Sequence, residues 1–281
     1  MTVTVAQPAR VTPAALAQRV LGNLGRWSRA LARAPQAQPP RPGASAIAAT
    51  ALTVAAIVAS MFFLDVSASN WARHLPPPVT AAFEQITDFG LSGWFLYPLG
   101  FILLVLAALA TPELPRRAQG VLAALAAQYG FLFVAIAAPG LFVTISKRLI
   151  GRARPFVGGH DDPFAYMPFI WQPAYASMPS GHATTAAAAA VAIGSVWPRL
   201  RGVMWLYALI IMCSRVVVLA HHPSDVLAGA LVGVVGALLV RRWFAARGLG
   251  FAIGGDGRMR ALPGPSPRRI KKVARRIIAG A

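Results

Sequence analysis

The sequence predicts an all-α integral membrane protein, a bundle of six transmembrane helices with basic termini that are amphipathic or disordered. Three observations predict this class. Charged residues make up 12% of the 281 residues, against roughly 25% in soluble domains. Hydrophobic residues make up 57%, which argues against a disordered chain. Long uncharged stretches recur along the sequence, and each approaches the roughly 20 apolar residues that a helix needs to cross a bilayer.

Six segments are predicted to span the membrane. They are Ala46–Leu64, Leu91–Ala110, Ala118–Ser146, Gly181–Trp197, Val203–Ala220 and Asp225–Val240. The fourth is rich in alanine and somewhat short, and the sixth is expected to stop at Arg241-Arg242. The first segment does not have the features of a cleavable signal peptide, because it starts too late in the chain and is too long. We therefore expect one membrane domain over residues 46–243.

Basic residues are distributed unequally between the two sides of these segments. Of the 27 Lys and Arg residues, 21 lie before the first segment, after the sixth, or in the second-to-third and fourth-to-fifth connections. Five lie in the other connections. Because cytoplasmic connections carry the excess of Lys and Arg, we expect a multi-pass protein of a cell inner membrane with both termini cytoplasmic. The formal net charge of +19 then needs no nucleic-acid partner.

Both ends of the chain are expected to be basic cytoplasmic segments, residues 1–45 and 244–281. In Ser266–Ala281, apolar residues fall on one helical face and basic residues fill the other. This pattern predicts an amphipathic helix that lies on anionic lipids. A weaker form of it begins at Thr12-Pro13, and a disordered tail is the alternative for each end. Pro35–Pro42 and Gly248–Pro265 have the composition of linkers.

A cluster of cations lies on the outward side of the predicted bundle. Lys147, Arg148, Arg152 and Arg154 occur within one short stretch that ends at Pro155. Cations on the translocated side run against the orientation rule, so we expect them to have a function. The alternative is a helix end that extends its cations to the lipid headgroups.

The tetrapeptide Pro179-Ser180-Gly181-His182 directly precedes the alanine-rich fourth segment. Ser180 occupies the position of a helix N-cap, so the free N–H groups of the first turn would form an anion site beside His182. A serine cap followed by an incidental histidine explains the tetrapeptide equally well when it is considered alone.

The third element begins inside the fifth segment and ends at the start of the sixth. Arg215 lies within the apolar stretch, where an arginine normally faces a polar partner or a cavity. Asp225 follows His221 by four residues. A carboxylate on one imidazole nitrogen leaves the other nitrogen free to attack. The alternative is an interfacial hydrogen bond between the two side chains that closes a short turn.

The predicted topology places these three elements on the same outward face. Together they supply fixed cations, a helix N-terminus, two histidines and an aspartate. This set fits phosphoryl transfer through a covalent phosphohistidine, in which cations and amide donors neutralise the phosphate oxygens. One histidine attacks and the other protonates the leaving oxygen. No carboxylate cluster in the sequence suggests a Mg²⁺ site, so we expect neither a metal nor a cofactor.

These elements resemble the signature motifs of the type-2 phosphatidic acid phosphatase and haloperoxidase superfamily, and more narrowly its bacterial six-span lipid phosphate phosphatases. The matching patterns are Lys147-x6-Arg154-Pro155, Pro179-Ser180-Gly181-His182 and Ser214-Arg215-x5-His221-x3-Asp225. The resemblance implies that His221 is the nucleophile, Asp225 its orienting partner and His182 the general acid. It also implies a phosphate-binding set of Lys147, Arg154, Ser180, Gly181 and Arg215.

Three basic or titratable residues lie off this pattern. Arg148 and Arg152 are expected either to contact headgroups or to support the site from a second layer. His222 occupies a position that the motif leaves free, so it is expected to be a neighbour of the nucleophile that can confound mutagenesis. The loop from Phe156 to Tyr175 is rich in aromatic residues, which predicts an interfacial aromatic belt, a lateral entrance for a lipid, or both.

The expected function is that of a metal-independent phosphatase that removes a phosphomonoester or diphosphate group from a membrane lipid at the periplasmic face. Phosphatidic acid, phosphatidylglycerol phosphate, undecaprenyl diphosphate and lipid A phosphates all fit. A lipid-to-lipid phosphotransferase is one alternative, because a lipid acceptor can replace water. A vanadium-dependent haloperoxidase is the other, since vanadate adopts the same five-coordinate geometry as the phosphate in transfer.

Overall fold

The computed structural model describes residues 12–278, so predictions for residues 1–11 and 279–281, Arg10 among them, lie outside the described residues. The described part is mostly helical. Its helices are α1 (Pro13–Ala32), α2 (Ala44–Phe63), α3 (Asp65–Arg73), α4 (Pro77–Asp88), α5 (Gly93–Leu109), α6 (Arg116–Ile150), α7 (Gly181–Val196), α8 (Arg201–Val217), α9 (Pro223–Ala246) and α10 (Pro267–Ile278). Strands β1 (Phe251–Ile253) and β2 (Met259–Ala261) form an antiparallel hairpin.

Five helical stretches are long and apolar enough to cross a membrane: α2, α4 together with α5, α6, α8 with the short turn before it, and α9. The fourth predicted span, α7, has 16 residues and falls short of that length. Large apolar side chains such as Leu52, Phe101 and Leu209 are exposed on the outside of the bundle. Such a surface is compatible with lipid tails and not with water. The chain is therefore membrane-embedded.

The alanine-rich helix α7 forms the centre of the bundle. It packs against α6, α8 and α9, and Ala186–Ala190 are fully buried. Glycines of α9 allow a close approach. A Cβ atom on Gly229 would lie 2.3 Å from the carbonyl oxygen of Ser180, and one on Gly233 would lie 2.4 Å from that of Thr184. Small residues at such contacts let two backbones touch, which fixes the start of α7 against α9.

The helix that contains the sixth predicted span is longer than that span. Helix α9 does not stop at Arg241-Arg242 but continues to Ala246. The guanidinium groups of the two arginines reach polar partners, Ser195 Oγ and the Pro40 carbonyl oxygen. The helix continues because its following residues are buried apolar side chains.

The segment Gly248–Pro265 is not a linker. It contains the β1–β2 hairpin, and Phe251 is buried in the core with its ring centroid 4.7 Å from that of Phe131. The composition of the segment, rich in Gly and Pro, predicts turns but does not reveal one buried aromatic anchor.

Both basic ends form helices that pack against the bundle, so the disordered alternative is wrong for the described residues. Helix α1 packs against α5, and its buried Asn23 donates hydrogen bonds of 2.8 Å to the carbonyl oxygens of Ala107 and Ala110. Helix α10 contacts the α5–α6 region through Val273 and Ile277, while its basic residues are exposed.

Candidate active site

The predicted site residues converge at one end of the bundle. Lys147 lies in the last turn of α6, and Arg215 lies in the last turn of α8. Ser180 is the N-cap of α7, and Asp225 lies in the first turn of α9. The Ser180 backbone N–H donates to the Asp225 carbonyl oxygen at 3.0 Å. The starts of α7 and α9 are therefore joined directly by their backbones.

Cations surround two imidazoles at this end. The charges of Arg215, Lys147 and Arg154 all act on His182, and so does His221. The Nε atoms of Arg154 and Arg215 are buried without a hydrogen-bond partner in the described part of the chain. Buried guanidinium N–H groups that lack an acceptor are costly, and an anion supplies the acceptors that they need.

The intramembrane arginine has the polar partner that its position predicts. Arg215 is 7% exposed, and its Nη1 donates to Thr87 Oγ1 at 2.6 Å. The hydroxyl of Ser214 also donates to Thr87 Oγ1, at 2.9 Å. Because Thr87 belongs to α4, a helix that the apolar pattern does not predict, the sequence alone gives no signal for this partner.

The start of α7 has the features of an anion site. Ser180 is fully buried and accepts a hydrogen bond from the Ala183 N–H at 3.5 Å, which confirms it as the N-cap. The first-turn N–H groups of a helix have no partner within the helix. A Cβ atom on Gly181 would meet nothing within 4 Å, so there is open space beside this turn for a ligand.

His221 lies in the short turn between α8 and α9 and is 4% exposed. Its backbone N–H donates to the Arg215 carbonyl oxygen at 3.2 Å, which ties the imidazole to the end of α8. Burial lowers the pKa of His221 to about 4, with the charges of Arg215 and Arg154 acting in the same direction and Asp225 opposing them. The imidazole is therefore neutral at neutral pH, as a nucleophile must be.

Asp225 is held by several donors. Its carboxylate accepts hydrogen bonds from Arg152 Nη1 at 2.5 Å, Ser177 Oγ at 2.6 Å and the His222 N–H at 2.9 Å. His221 Nδ1 lies 3.9 Å from Asp225 Oδ2. This distance exceeds that of a hydrogen bond but leaves Nε2 as the ring nitrogen that points away from the carboxylate.

Arg152 does not contact lipid headgroups, so that prediction is wrong. The side chain is fully buried and bridges two carboxylates, Asp225 and Asp65, the latter at 2.8 Å. Its Nε donates to the Pro163 carbonyl oxygen. Burial lowers the pKa of Arg152, but Asp225 and Asp65 together raise this pKa by more than burial lowers it. The guanidinium group therefore stays charged. The alternative prediction, a supporting role behind the site, agrees with this position.

Arg148 contacts an aromatic residue of the loop between the first two motifs. It donates to the Trp171 carbonyl oxygen at 2.8 Å and lies over the Trp171 ring. Such a contact at the membrane boundary is typical of a cation beside an aromatic belt.

His222 is part of the buried network and not a passive neighbour. Its Nε2 lies 2.9 Å from Asp161 Oδ1, and its Nδ1 lies 3.4 Å from Asp225 Oδ2. Burial lowers the pKa of His222, but Asp225 and then Asp161 outweigh it and raise the pKa above its usual value. The adjacent histidines thus differ: His221 is neutral, and His222 readily holds a proton between two carboxylates.

Sequence reasoning missed Ser177 and both further carboxylates of this network, Asp65 and Asp161. Asp65 lies at the start of α3, fully buried, and accepts hydrogen bonds from the Ser224 backbone N–H and from Ser60 Oγ, both at 3.0 Å. The available signal was its position at the outward end of a predicted span in a chain with only eight acidic residues. Asp161 carried no comparable signal, because it lies in an irregular loop beside Asp162.

A cavity of about 350 Å³ opens from the site between α5, α6 and α7. Lys147, Gly181 and His182 line one end, and apolar residues such as Leu96 and Ile136 line the other. On α6 the two ends, Ile136 and Lys147, are about 17 Å apart along the helix. None of the described aromatic residues of the Phe156–Tyr175 loop lines this cavity, so the cavity is distinct from the predicted aromatic entrance.

Comparison with known proteins identifies a family and several similar sequences. The family description "PAP2 superfamily" matches residues 128–249, which contain all three motifs. Lipid A 1-phosphatase of Rhizobium johnstonii is 36% identical over 208 residues, 73% of this chain and 84% of that protein. Lipid A 1-phosphatase of Rhizobium etli is 35% identical over 208 residues, 73% of this chain and 88% of that protein.

Two further similarities are weaker. Decaprenylphosphoryl-5-phosphoribose phosphatase of Mycobacterium tuberculosis is 35% identical over 156 residues, 54% of this chain and 77% of that protein. The crystal structure of a transmembrane PAP2-type phosphatidylglycerolphosphate phosphatase from Bacillus subtilis aligns with a TM-score of 0.39 and 18% identity. The alignment covers 80% of this chain and 94% of that chain.

The membrane helices, the three motifs and the two lipid A 1-phosphatase relatives together define a membrane phosphatase that acts on lipids. The chain belongs to the PAP2 superfamily. The resemblance drawn from the three motifs is thereby confirmed.

Proposed function

We propose that the protein dephosphorylates a membrane lipid through a phosphohistidine on His221. The observation that carries the proposal is the environment of this imidazole. It is buried, neutral, tied by its backbone to Arg215 and set between cations on one side and the Asp225 carboxylate on the other. A neutral nucleophile next to fixed positive charge is the arrangement that in-line attack on a phosphate dianion requires.

In the first step of the proposed mechanism, His221 Nε2 attacks phosphorus. The N–P bond forms as the bond from phosphorus to the lipid oxygen breaks. The leaving oxygen takes the bonding electron pair and a proton from His182, whose charged form is favoured once the phosphate dianion has neutralised the cations around it. Asp225 stabilises the positive charge that develops on the His221 ring. The products of this step are the dephosphorylated lipid and phosphohistidine.

In the second step, water attacks the phosphohistidine. His182, now neutral, accepts one proton from the water as the O–P bond forms and the N–P bond breaks. His221 recovers its electron pair, inorganic phosphate leaves, and His182 is again protonated. Each turnover consumes one water, and the acid of the first step is the base of the second.

The remaining predicted residues would hold the phosphate. Lys147, Arg154 and Arg215 supply positive charge, and the first turn of α7 supplies N–H donors at Gly181 beside Ser180. These groups neutralise the charge of the three non-bridging oxygens, which is largest in the transition state. The same set of fixed cations would do the electrostatic work that a metal ion does in other phosphatases.

We propose lipid A 1-phosphate as the substrate to test first. Two relatives that align over most of their length are lipid A 1-phosphatases. The cavity between α5, α6 and α7 supports a lipid substrate, because it joins the cationic end at Lys147 to apolar walls at membrane depth. An acyl chain can lie there while its phosphate reaches His182 and the cations.

We also propose the topology. Helix α7 would complete six crossings, its short length being tolerated because neighbouring helices surround it. The excess of basic residues away from the site supports a periplasmic active site, cytoplasmic termini and an inner-membrane location. The exposed basic face of α10 supports its contact with anionic lipids of the cytoplasmic leaflet, at about 1 kcal/mol for each basic residue near the surface.

The test is phosphate release by the purified full chain from a panel of lipids in detergent. The panel holds lipid A with a 1-phosphate, phosphatidic acid, phosphatidylglycerol phosphate and undecaprenyl diphosphate. We expect fastest release from lipid A, and acid-labile, base-stable label on the protein during turnover. Transfer of phosphate to a second lipid with no free phosphate would indicate the phosphotransferase instead.

A further inference from the structure

A second cavity lies at the end of the bundle opposite the candidate active site. Its volume is about 640 Å³. The walls come from Tyr129 of α6, Ser195 of α7, Arg201 at the start of α8 and Arg241 of α9. On α9, Arg241 is 16 residues beyond Asp225, which is about 24 Å along the helix. The two cavities are therefore separate.

The C-terminal part of the chain covers this second cavity. Strand β2, the segment that follows it and Ile270 of α10 form one side. These residues lie beyond the 128–249 match to the PAP2 superfamily. Without the hairpin, this end of the helices would be open on one side. With the hairpin in place the surface is concave, as ligand sites generally are.

The charged side chains that line this cavity in the described part of the chain are all positive. No described residue that lines it is acidic, and three are arginines. Arg260 is paired with Asp256 at 2.7 Å, whereas Arg201 and Arg241 have no carboxylate partner among residues 12–278. The charges of Arg201 and Arg241 act on each other. Two like charges that face one concave space repel one another unless an anion lies between them.

The hydrogen bonding of Arg241 also indicates an unfilled site. Its Nε is buried and has no acceptor in the described part of the chain, and Nη1 has only Ser195 Oγ at 3.4 Å. A guanidinium group carries five N–H donors in a planar fork that matches phosphate oxygens. Helix α9 therefore holds the guanidinium group of Arg241 at the cavity wall, and most of the N–H donors of this group are available to a ligand.

We propose that Arg201 and Arg241 bind a phosphate group in this second cavity. The ligand is either inorganic phosphate or the headgroup of an anionic phospholipid, and both present the same oxygens to the two guanidinium groups. Tyr129 and Gln128 add polar groups to the wall. The site does not take part in hydrolysis, because it lies at the other end of the helices.

The test compares binding to the full chain and to two double variants in detergent. R201Q/R241Q removes both guanidinium groups from the cavity. R116Q/R117Q removes the same amount of charge from the exposed start of α6 and serves as the matched control. Native mass spectrometry counts bound phosphatidylglycerol, with phosphatidylcholine as the zwitterionic comparison. Calorimetry counts sites for inorganic phosphate.

We expect R201Q/R241Q to lose one phosphate or phosphatidylglycerol site, with affinity reduced roughly tenfold or more, because two charge-assisted pairs are removed. Lipid phosphate hydrolysis should remain. Loss of phosphatidylglycerol identifies a lipid headgroup as the occupant, and loss of a phosphate site identifies a soluble anion. Unchanged binding of both probes, or an equal loss in R116Q/R117Q, overturns the proposal. If R201Q/R241Q does not fold, the variant R201K/R241K is used, because it keeps both positive charges. The proposal then requires that this variant binds inorganic phosphate or phosphatidylglycerol.

Discussion

The guanidinium group of Arg152 lies 2.8 Å from the carboxylate of Asp65, and both side chains are fully buried. Asp65 follows the first membrane helix, whereas Arg152 follows the third long one and also binds Asp225. The pair therefore connects the candidate catalytic carboxylate to a part of the chain that precedes the matched family region. Asp65 is a positioning residue, since it acts on the site only through Arg152 and Ser224.

We expect Asp65→Asn to lower both stability and turnover. Removal of one partner from a buried ion pair leaves an uncompensated charge and costs about 3–5 kcal/mol. The thermal midpoint in detergent should fall, and kcat should fall more than KM changes, because Asp225 loses its alignment. Asp256→Asn is the matched control, since its pair with Arg260 is exposed and should matter little. A variant that matches the wild type in midpoint and kcat would contradict the positioning role.

His221→Ala should abolish turnover without unfolding the bundle. Loss of an activated nucleophile costs on the order of 10⁴–10⁶ in rate. The measurement is phosphate release from the lipid, combined with peptide mapping of the trapped phosphohistidine in the wild type. His222 is the critical comparison, because it is adjacent and also contacts Asp225. Label found on His222 would refute the assignment of His221.

The pH profile should reflect the lowered pKa of His221. Only the neutral imidazole attacks, so activity falls as the pH drops through the pKa of this group. Because burial lowers that pKa to about 4, kcat/KM should stay flat as the pH falls past the usual value near 6.5 and decline only toward 4. An activated aryl phosphate isolates this step, since its leaving group needs no proton. A decline centred near 6.5 would show that the imidazole is not shielded as described.

His182→Ala should distinguish substrates by their leaving group. Lipid alkoxides need a proton to leave, whereas aryl oxides leave with little help. We expect hydrolysis of the lipid phosphate to fall by a factor of about 10² or more, in line with the usual contribution of general acid catalysis. Hydrolysis of the aryl phosphate should change far less. Equal losses on both substrates would mean that His182 serves in binding or folding.

Activity should persist in EDTA and be inhibited competitively by vanadate. Vanadate resembles the five-coordinate transition state, and such mimics bind more tightly than the substrate. Arg215→Gln should weaken vanadate inhibition, because the guanidinium group contributes to the charge that acts on His221. Full loss of activity in EDTA with recovery by Mg²⁺ would contradict the proposed role of the cations.

The sequence predicted the membrane class, the approximate spans and the residues that converge at the site. Local patterns were sufficient for these, because long apolar stretches and motifs of fixed spacing are contiguous in the chain. The motif residues lie at helix ends, so alternating helices bring them together with little further information. The serine cap of α7 is a local feature of this kind, confirmed by the Ser180 hydrogen bond.

The rest depends on contacts between distant parts of the chain. The local sequence around Arg152 fits either a contact with lipid headgroups or a supporting role behind the site. Only the position of Asp65 decides between these two alternatives. His222 acquires its role through Asp161, which is 61 residues away. Phe251 enters the core because the hairpin folds back on α6 and α9. In each case local composition was ambiguous, and the partner that resolved it carried no sequence pattern.

The backbone hydrogen bond from Ser180 to Asp225 preorganises the two histidines. His182 lies in the first turn of α7, which Ser180 caps. His221 lies just before α9, the helix that contains Asp225. The acid and the nucleophile therefore have a set separation before any lipid arrives, and the substrate does not have to assemble them. The conformational entropy of bringing two imidazoles together is lost once, when the helices pack, and not again in each turnover.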